Sequence, residues 1–267
     1  MLPAQTRLAE RWTAADDSVA VEERSVPDEA AIGIAYDSRP HLVVIGTPAD
    51  IEDLAVGFTV TEGVARFDQI ERVTVSHTEA GWSADVLLTR EGAASAELAR
   101  RRTLEARSSC GLCGVEALSD ALRPTRRVAG NLTVARGAIQ RAVAAMEGSQ
   151  PLGRSTRATH AAAWADASGE VRIVREDVGR HNALDKVVGA AVRAGLDPAA
   201  AFIVITSRCS YEMVDKTACA GVALLVAVSA PTALAIHRAE TAGMTLVALA
   251  RADGHTVFAG SGRIVDR

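Results

Sequence analysis

Residues 201–250, AFIVITSRCSYEMVDKTACAGVALLVAVSAPTALAIHRAETAGMTLVALA, decide the fold class. They hold three short apolar runs, AFIVITS, LLVAVS and MTLVALA, separated by segments that predict helices from about Ser210 and from Pro231. Upstream, HAAAWA, EVRIVRE and a helix from His181 continue this rhythm, and HTVFAG follows downstream. Strands alternating with helices predict a mainly parallel sheet covered by helices. We therefore predict an α/β domain over residues 157–267, with ligands at the carboxyl ends of its strands.

The first third of the chain is patterned differently. Short alternating runs predict half-buried antiparallel strands at residues 19–26, 30–36 and 41–46, and two more strands at 72–77 and 84–90. Thr47 is the expected N-cap of an intervening helix that Gly63 ends. Residues 91–107 also have a helical pattern. The predicted domains are a small N-terminal α+β domain (1–107), a cysteine loop with a helical connector (108–156) and the α/β domain (157–267).

Composition excludes several classes of protein. A net charge of -4 over 267 residues gives no basic excess for nucleic acid or an anionic membrane surface. The first twenty residues lack the apolar stretch of a signal peptide, and glycine, serine and proline interrupt the apolar segment at 218–236. We therefore expect a cytoplasmic protein that binds neither nucleic acid nor membrane.

Four cysteines without a secretory signal are expected to be reduced thiols. Cys110 and Cys113 form a C-x-x-C pair in a glycine-flanked loop, SSCGLCG, directly after a basic segment that contains Arg100, Arg101, Arg102 and Arg107. Cys219 falls in an apolar helix, where an inert buried thiol is the default, whereas Cys209 could be activated at a helix start or simply packed.

Three kinds of chemistry suit the cysteine pair. A structural zinc site needs four ligands, and the other two cysteines are ten positions apart in a different kind of segment. A thioredoxin-like dithiol would open a helix directly after a strand, but a basic segment precedes this pair. A persulfide carrier needs an exposed thiolate with positive charge nearby, which the glycines and arginines favour. We therefore predict a persulfide carrier and no metal site.

Two helix starts carry anion-binding patterns. In DVGRHNALDK, residues 177–186, Gly179 permits a tight turn before three donors, Arg180, His181 and Asn182. The next strand is followed by Ser207, Arg208 and Ser210, and a weaker third instance includes Ser229 and Thr232. Three such ends on one sheet edge could hold a large polyphosphate ligand, although an ordinary capped turn remains the alternative for the first of them. His160 either faces such a site or only begins a strand.

Lys186 and Lys216 are the only lysines among 29 basic residues, and each directly follows an aspartate. Their retention in an arginine-rich chain suggests that a compact ammonium group is needed at these positions. We include both as further candidate site residues. Chance, and ordinary salt bridges with each other's aspartates, remain open alternatives.

Four motifs in order, PADIEDLAVGFTVTEG, SSCGLCG, DVGRHNALDK and TSRCSYEMVDKTACAGV, resemble the formate dehydrogenase accessory sulfurtransferase family. The resemblance implies a cytidine-deaminase-like three-layer domain, a homodimer, and transfer of persulfide sulfur from a cysteine desulfurase to the molybdenum bis(molybdopterin guanine dinucleotide) cofactor of formate dehydrogenase. It also implies that Cys110 carries the persulfide and that Cys113 assists. The family's C-terminal cofactor-binding stretch corresponds to Leu249, Ala250, Arg251, Ala252, Asp253 and Gly254.

One departure from the family concerns the residues before His160. The family commonly has Thr-Gly-Gly there, whereas this chain has Thr156-Arg157-Ala158-Thr159, which leaves the shape of that wall open. A zinc deaminase is rejected because no proline precedes the cysteine pair and because the pair lies before the predicted sheet domain. A non-catalytic chaperone for the cofactor stays open, as do the first cysteine to load, the atom that receives sulfur and the dehydrogenase served.

Overall fold

The structure is a computed structural model that describes residues 2–105 and 125–266, with side chains assigned outside residues 98–105. A hairpin of two ten-residue strands, β1 (Ala4–Thr13) and β2 (Ser18–Pro27), begins the chain. A four-stranded sheet follows in the order β4-β3-β6-β5. Its strands are β3 (Ala30–Tyr36), β4 (Arg39–Gly46), β5 (Ile70–Thr78) and β6 (Gly81–Leu88). All five strands predicted in the first third are confirmed, although β3 and β6 pair in parallel.

Two helices cover one face of this four-stranded sheet, α1 (Ile51–Thr61) and α2 (Arg90–Glu105). Gly63, with φ +66°, follows the end of α1 as predicted. The predicted N-cap is wrong, because α1 begins after Asp50, which has the left-handed φ of 51°. Thr47 is instead fully buried, and its polar groups bond to a distant part of the chain.

The remaining described residues build a larger unit around a six-stranded sheet with the order β13-β12-β11-β10-β8-β9. Its strands are β8 (His160–Asp166), β9 (Val171–Asp177), β10 (Ala201–Ile205), β11 (Leu224–Ala227), β12 (Thr245–Arg251) and β13 (Gly254–Ala259). A separate two-stranded ladder joins β7 (Val134–Ala135) to β14 (Ile264–Val265). The helices are α3 (Arg136–Gly148), α4 (Pro151–Thr156), α5 (Arg180–Arg193), α6 (Tyr211–Cys219) and α7 (Ala233–Ala242).

The prediction of a mainly parallel sheet is wrong. Only β10 with β11 and β11 with β12 pair in parallel, while the other three neighbouring pairs are antiparallel. For two of these three pairs the cause is local, because tight turns join β8 to β9 and β12 to β13, and a parallel pair would need a long crossover. The sequence pattern predicted these strands correctly, but the shortness of the connections between them was not taken into account.

The six-stranded sheet lies between two helical layers. Residues of α5, α6 and α7 pack on one face, and Ala138, Ile139, Ala142, Val143 and Met146 of α3 pack on the other. The α/β class is thus confirmed, whereas likeness to cytidine deaminases stays a prediction. The predicted domain boundaries also stay a prediction, although α3, assigned to the connector, contributes to the core of the larger unit.

Helix α1 of the N-terminal unit packs closely on α5 of the larger unit. The crossing is made by Gly57 and Gly189, where a Cβ atom at either position would overlap the opposing backbone, at Asp185 and Asp53 respectively. Around this crossing, Asp53 pairs with both Arg175 and Arg193. Among the residues described, no helix combines the length and apolarity needed to span a membrane.

Candidate functional site

One edge of the six-stranded sheet gathers the predicted anion-binding segments. Cys209 N donates to Ala230 O at 3.1 Å, and Leu249 N donates to Ser229 O at 3.2 Å, which places the loops after β10 and β11 side by side and next to the last residues of β12. His160, the first residue of β8, is paired across the ladder with Asp177, the last residue of β9. The prediction that these helix starts share one edge of the sheet is therefore confirmed.

Asp177 organises the turn that opens α5. Its fully buried carboxylate accepts four hydrogen bonds: from Thr47 N at 3.0 Å, Gly179 N at 2.8 Å, Asn182 Nδ2 at 3.0 Å and Lys186 Nζ at 2.6 Å. Two of these donors come from the same turn and one from the distant residue Thr47. The carboxylate therefore fixes the start of α5 relative to the N-terminal unit.

The three donors predicted at the start of α5 differ in what they can offer a ligand. Asn182 is buried, and its amide group already donates to Ile45 O at 2.9 Å and to Asp177. Arg180 and His181 are partly exposed at the sheet edge. Arg180 supplies positive charge there, and His181 supplies an imidazole that also bonds to α6.

Glu212 connects the starts of α5 and α6. Its Oε2 lies 3.1 Å from His181 Nε2 and accepts a 3.3 Å hydrogen bond from Ser210 Oγ. The hydrogen bond from His181 lowers the pKa of Glu212, against the opposing effect of partial burial. Glu212 therefore stays ionised and orients the His181 ring. Sequence reasoning missed this residue, although its spacing of two from Ser210 within the motif was visible.

His160 stands next to this group of charges. Burial lowers the pKa of His160 below its ordinary value, and the positive charge of Arg180 lowers it further. Upstream, Arg157 has a left-handed φ of 55° at the end of α4, a conformation that suits glycine. The family's glycine at this position is thus consistent with the local backbone, which here accommodates an arginine instead.

The predicted site residues that follow β10 and those around the end of β12 include both buried and exposed side chains. Ser207 is buried and donates to Arg208 O at 3.1 Å, whereas the Arg208 side chain is exposed. At the end of β12, Leu249 has φ +52° and is exposed, Ala250 is fully buried and Arg251 is exposed. Ala252 and Asp253 form the exposed turn before Gly254, which begins β13. Ligand contact by any residue predicted for the site stays a prediction.

The ammonium groups of both lysines form ion pairs and hydrogen bonds with buried groups of the protein. Lys186 Nζ bonds to Asp177 Oδ2 and to Thr47 O at 2.9 Å. Lys216 Nζ lies 2.9 Å from both carboxylate oxygens of Asp185, 2.8 Å from Glu62 Oε1 and 3.1 Å from Thr61 Oγ1. The salt-bridge alternative named each other's aspartates, and it holds for Lys216, which pairs with Asp185. Lys186 pairs with Asp177 instead of Asp215.

Among the described cysteines, Cys209 is poorly suited to nucleophilic chemistry. Its side chain is fully buried, and desolvation raises the pKa of its thiol to about 12. Cys219 is half-buried at the end of α6. Cys110, Cys113 and Arg107 lie outside the described residues, as do the side chains of Arg100, Arg101 and Arg102. Within the part of the chain that is described, no three His, Cys, Asp or Glu side chains are grouped to hold a metal ion.

Comparison with known proteins shows the chain's relatives. The model of the FdhD/NarQ family matches residues 27–265. This chain belongs to the FdhD/NarQ family. The sulfur carrier protein FdhD of Xanthomonas euvesicatoria is 46% identical over 227 residues, which are 85% of this chain and 80% of that protein. The sulfur carrier protein FdhD of Agrobacterium fabrum is 40% identical over 264 residues, 98% of this chain and 97% of that protein.

A solved structure supports the FdhD/NarQ fold. A crystal structure of a protein from Desulfotalea psychrophila with a proposed formate dehydrogenase accessory role superposes with a TM-score of 0.76. The two chains are 21% identical, and the alignment covers 98% of this chain and 99% of the other. At this identity the likeness establishes the shared fold.

Proposed function

We propose that this FdhD/NarQ protein is a sulfurtransferase in the maturation of formate dehydrogenase. It accepts persulfide sulfur from a cysteine desulfurase and transfers it to the molybdenum bis(molybdopterin guanine dinucleotide) cofactor, which it binds as substrate. The observation that carries the proposal is the 40–46% identity, over most of the chain, to relatives named sulfur carrier protein. We further propose that the protein acts as a cytoplasmic homodimer.

The proposed sulfur carrier is the loop pair Cys110 and Cys113. The Cys110 thiolate attacks the outer sulfur of the desulfurase persulfide, a new S–S bond forms on Cys110, and the desulfurase cysteine leaves as its thiolate. The neighbouring arginines in the sequence favour the thiolate form of the attacking group. The raised pKa of Cys209 supports this assignment by elimination, because a buried neutral thiol is a poor nucleophile.

The proposed cofactor site is the sheet edge at the starts of α5 and α6. Arg180 and Arg208 bring two guanidinium groups to this edge, and the adjacent helix N-termini favour anions. A nucleotide-bearing cofactor carries phosphates that suit such donors. Further contacts are proposed with His160, His181, Ser207, Ser210 and residues 249–254.

A non-catalytic cofactor chaperone is the alternative function. It would use the same sheet edge, because anion binding there needs no cysteine. The two functions differ in what removal of the Cys110 thiol does. A chaperone would keep its effect on the dehydrogenase, whereas a sulfur carrier would lose it.

The deciding experiment replaces Cys110 by alanine and measures formate dehydrogenase activity in cells that lack the native protein. We expect Cys110→Ala to abolish activity while purified protein still binds GDP as strongly as wild type. The matched control is Cys219→Ala, which removes a thiol from α6 and should leave activity unchanged. Full dehydrogenase activity with Cys110→Ala would instead establish the chaperone.

A further inference from the structure

The hairpin of β1 and β2 has one apolar face that lies open to solvent. Directly paired residues share a face, so the pairs Trp12 with Val19, Glu10 with Val21 and Leu8 with Glu23 all lie on one side. The exposed fractions are 74% for Leu8, 60% for Trp12, 64% for Val19 and 66% for Val21. Four large apolar side chains on one face of a hairpin with ten-residue strands form a patch that an isolated domain would not ordinarily leave in water.

The opposite face of the hairpin is polar. Arg7 pairs across from Arg24, and Arg11 across from Ala20, so the arginines of both strands share this side. The apolar face carries charge only as the carboxylates of Glu10 and Glu23. A two-stranded hairpin is only marginally stable by itself in water, which indicates that its apolar face is covered in the working protein.

The same chain has a second uncovered strand surface, the outer face of the four-stranded sheet. The inner face of this sheet packs on α1 and α2, so the outer face is left to solvent. On the outer face, Val43 and Ile45 of the edge strand β4 are 67% and 58% exposed. Leu87, 38% exposed, lies on this outer face directly across from Arg72. The carboxylate of Asp85 on this face already accepts two hydrogen bonds from Ser38.

We infer that the β1–β2 hairpin is an arm that docks its apolar face on the outer face of the four-stranded sheet of a second copy of this chain. The arm supplies apolar side chains and carboxylates. The receiving face offers Val43 and Ile45 on β4 and, toward the other end of the sheet, Leu87 with Arg72 directly across from it. Docking two hairpins face to face would instead bring their Glu10 and Glu23 carboxylates together. This inference rests on the homodimer in the proposed function and names its surface.

Area favours a second copy over an unrelated partner. A ten-residue strand is about 34 Å long, and two strands are about 10 Å wide, so one hairpin face covers roughly 340 Å². Docking one arm buries about 700 Å² in total, below the roughly 1,200–2,000 Å² of stable interfaces. A two-fold exchange of arms doubles this to about 1,400 Å², inside that range.

The receiving face also reaches the candidate functional site. The carbonyl of Ile45 accepts the amide hydrogen bond of Asn182, in the first turn of α5. An arm docked along β4 therefore lies beside the turn that positions Arg180 and His181. The family match begins at residue 27, where β2 ends, so the arm lies just outside the segment that the family model matches.

The test is the mass of the full-length protein by size-exclusion chromatography with light scattering. We expect wild type to be a dimer, and both the arm variant Leu8→Glu/Val21→Glu and the sheet variant Val43→Glu/Ile45→Glu to be monomers. The control Arg11→Ser/Ala20→Ser alters the opposite face of the arm and should remain a dimer. Circular dichroism should be unchanged in all variants, because the substituted side chains are largely exposed.

Mixing the two monomeric variants separates this arrangement from other dimers. An intact arm on the sheet variant can still dock on the intact sheet of the arm variant, so the mixture should form a heterodimer at high concentration. Hydrogen exchange of unaltered protein is the second measurement, with protection in residues 4–27 and 39–46 expected to fall on dilution. Dimers that persist in both variants, without such protection, would overturn the arm and leave the homodimer standing.

A monomeric wild type would overturn both the arm and the homodimer. Sulfur loading of the loop cysteines, measured on the same preparations, distinguishes this from failure of the sulfurtransferase. A monomer that still loads sulfur keeps the proposed chemistry and loses only the proposed assembly.

Discussion

Lys186 and Asp177 form an ion pair that is fully buried, with Lys186 Nζ 2.6 Å from Asp177 Oδ2. The same ammonium donates to Thr47 O, so the pair joins the turn before α5 to the N-terminal unit. Arg180 and His181 follow this turn directly. The geometry of the proposed cofactor site thus depends on an ion pair that no ligand can reach.

Removal of the buried ammonium should destabilise the protein strongly. Lys186→Met leaves the Asp177 carboxylate in the interior without its cation, and the expected loss is about 3–5 kcal/mol in the free energy of unfolding. Urea unfolding followed by circular dichroism measures it. The matched control is Arg172→Met, which breaks an exposed pair with Asp166 and should cost at most about 1 kcal/mol. Equal losses in the two variants would show that the buried pair has no special weight.

The crossing of α1 and α5 predicts a second large effect. Gly57→Ala introduces a methyl group that overlaps the backbone of α5, and the expected cost is about 1–3 kcal/mol or more. Gly148→Ala is the control, because nothing lies within 4 Å of the added methyl group at the end of α3. Thermal unfolding should show a lower midpoint for Gly57→Ala alone. An unchanged midpoint for Gly57→Ala would mean that the two helices do not pack this closely.

The lowered pKa of His160 makes a prediction about pH. Since burial and the Arg180 charge keep the folded form neutral, the unfolded chain takes up the proton first as the pH falls below 6.5. The free energy of unfolding therefore falls as the pH drops from the ordinary pKa of His160 to its lowered folded pKa, and the loss remains at lower pH. NMR titration should place its midpoint below 6.5, and Arg180→Ala should move that midpoint upward without fully restoring it. A midpoint at or above 6.5 in wild type would contradict this environment.

Arg180 also predicts the affinity for a nucleotide. If its guanidinium holds a phosphate of the cofactor, Arg180→Ala should weaken GDP binding by about 10- to 100-fold, as expected for one hydrogen bond to a charged group. Isothermal titration calorimetry measures the dissociation constant. Arg172→Ala is the control, since it removes a guanidinium from the start of β9, the end of that strand away from α5. Unchanged affinity in Arg180→Ala would place the nucleotide elsewhere.

Much of the local structure was predictable because its signals are local. Apolar alternation located β2 to β6, and the motif from 177 to 186 located the start of α5. β1 was missed because its sequence, AQTRLAERWT, scatters charged and apolar residues without the partner strand that assigns them to faces. The shared sheet edge was predicted from the rule that parallel strands end together. It is correct because β9, β10 and β11, the strands that precede α5, α6 and α7, run in the same direction, with β8 antiparallel between β9 and β10.

The connections between distant segments were not predictable from local pattern. Thr47 has the character of a helix N-cap, but its backbone amide donates to Asp177, 130 positions away. Glu212 gains its meaning only when α5 and α6 lie side by side and His181 reaches it. The lysines were singled out by composition, yet the N-terminal unit supplies partners to both, Thr47 to Lys186, and Thr61 and Glu62 to Lys216.

Mass spectrometry after incubation with a cysteine desulfurase and free cysteine tests the central claim most directly. The method maps each added sulfur to peptides that contain Cys110, Cys113, Cys209 or Cys219. The account predicts added sulfur confined to the Cys110 and Cys113 peptide and lost from it on treatment with a thiol reductant. Absence of added sulfur there, or equal loading of Cys209, would contradict the sulfur-carrier function.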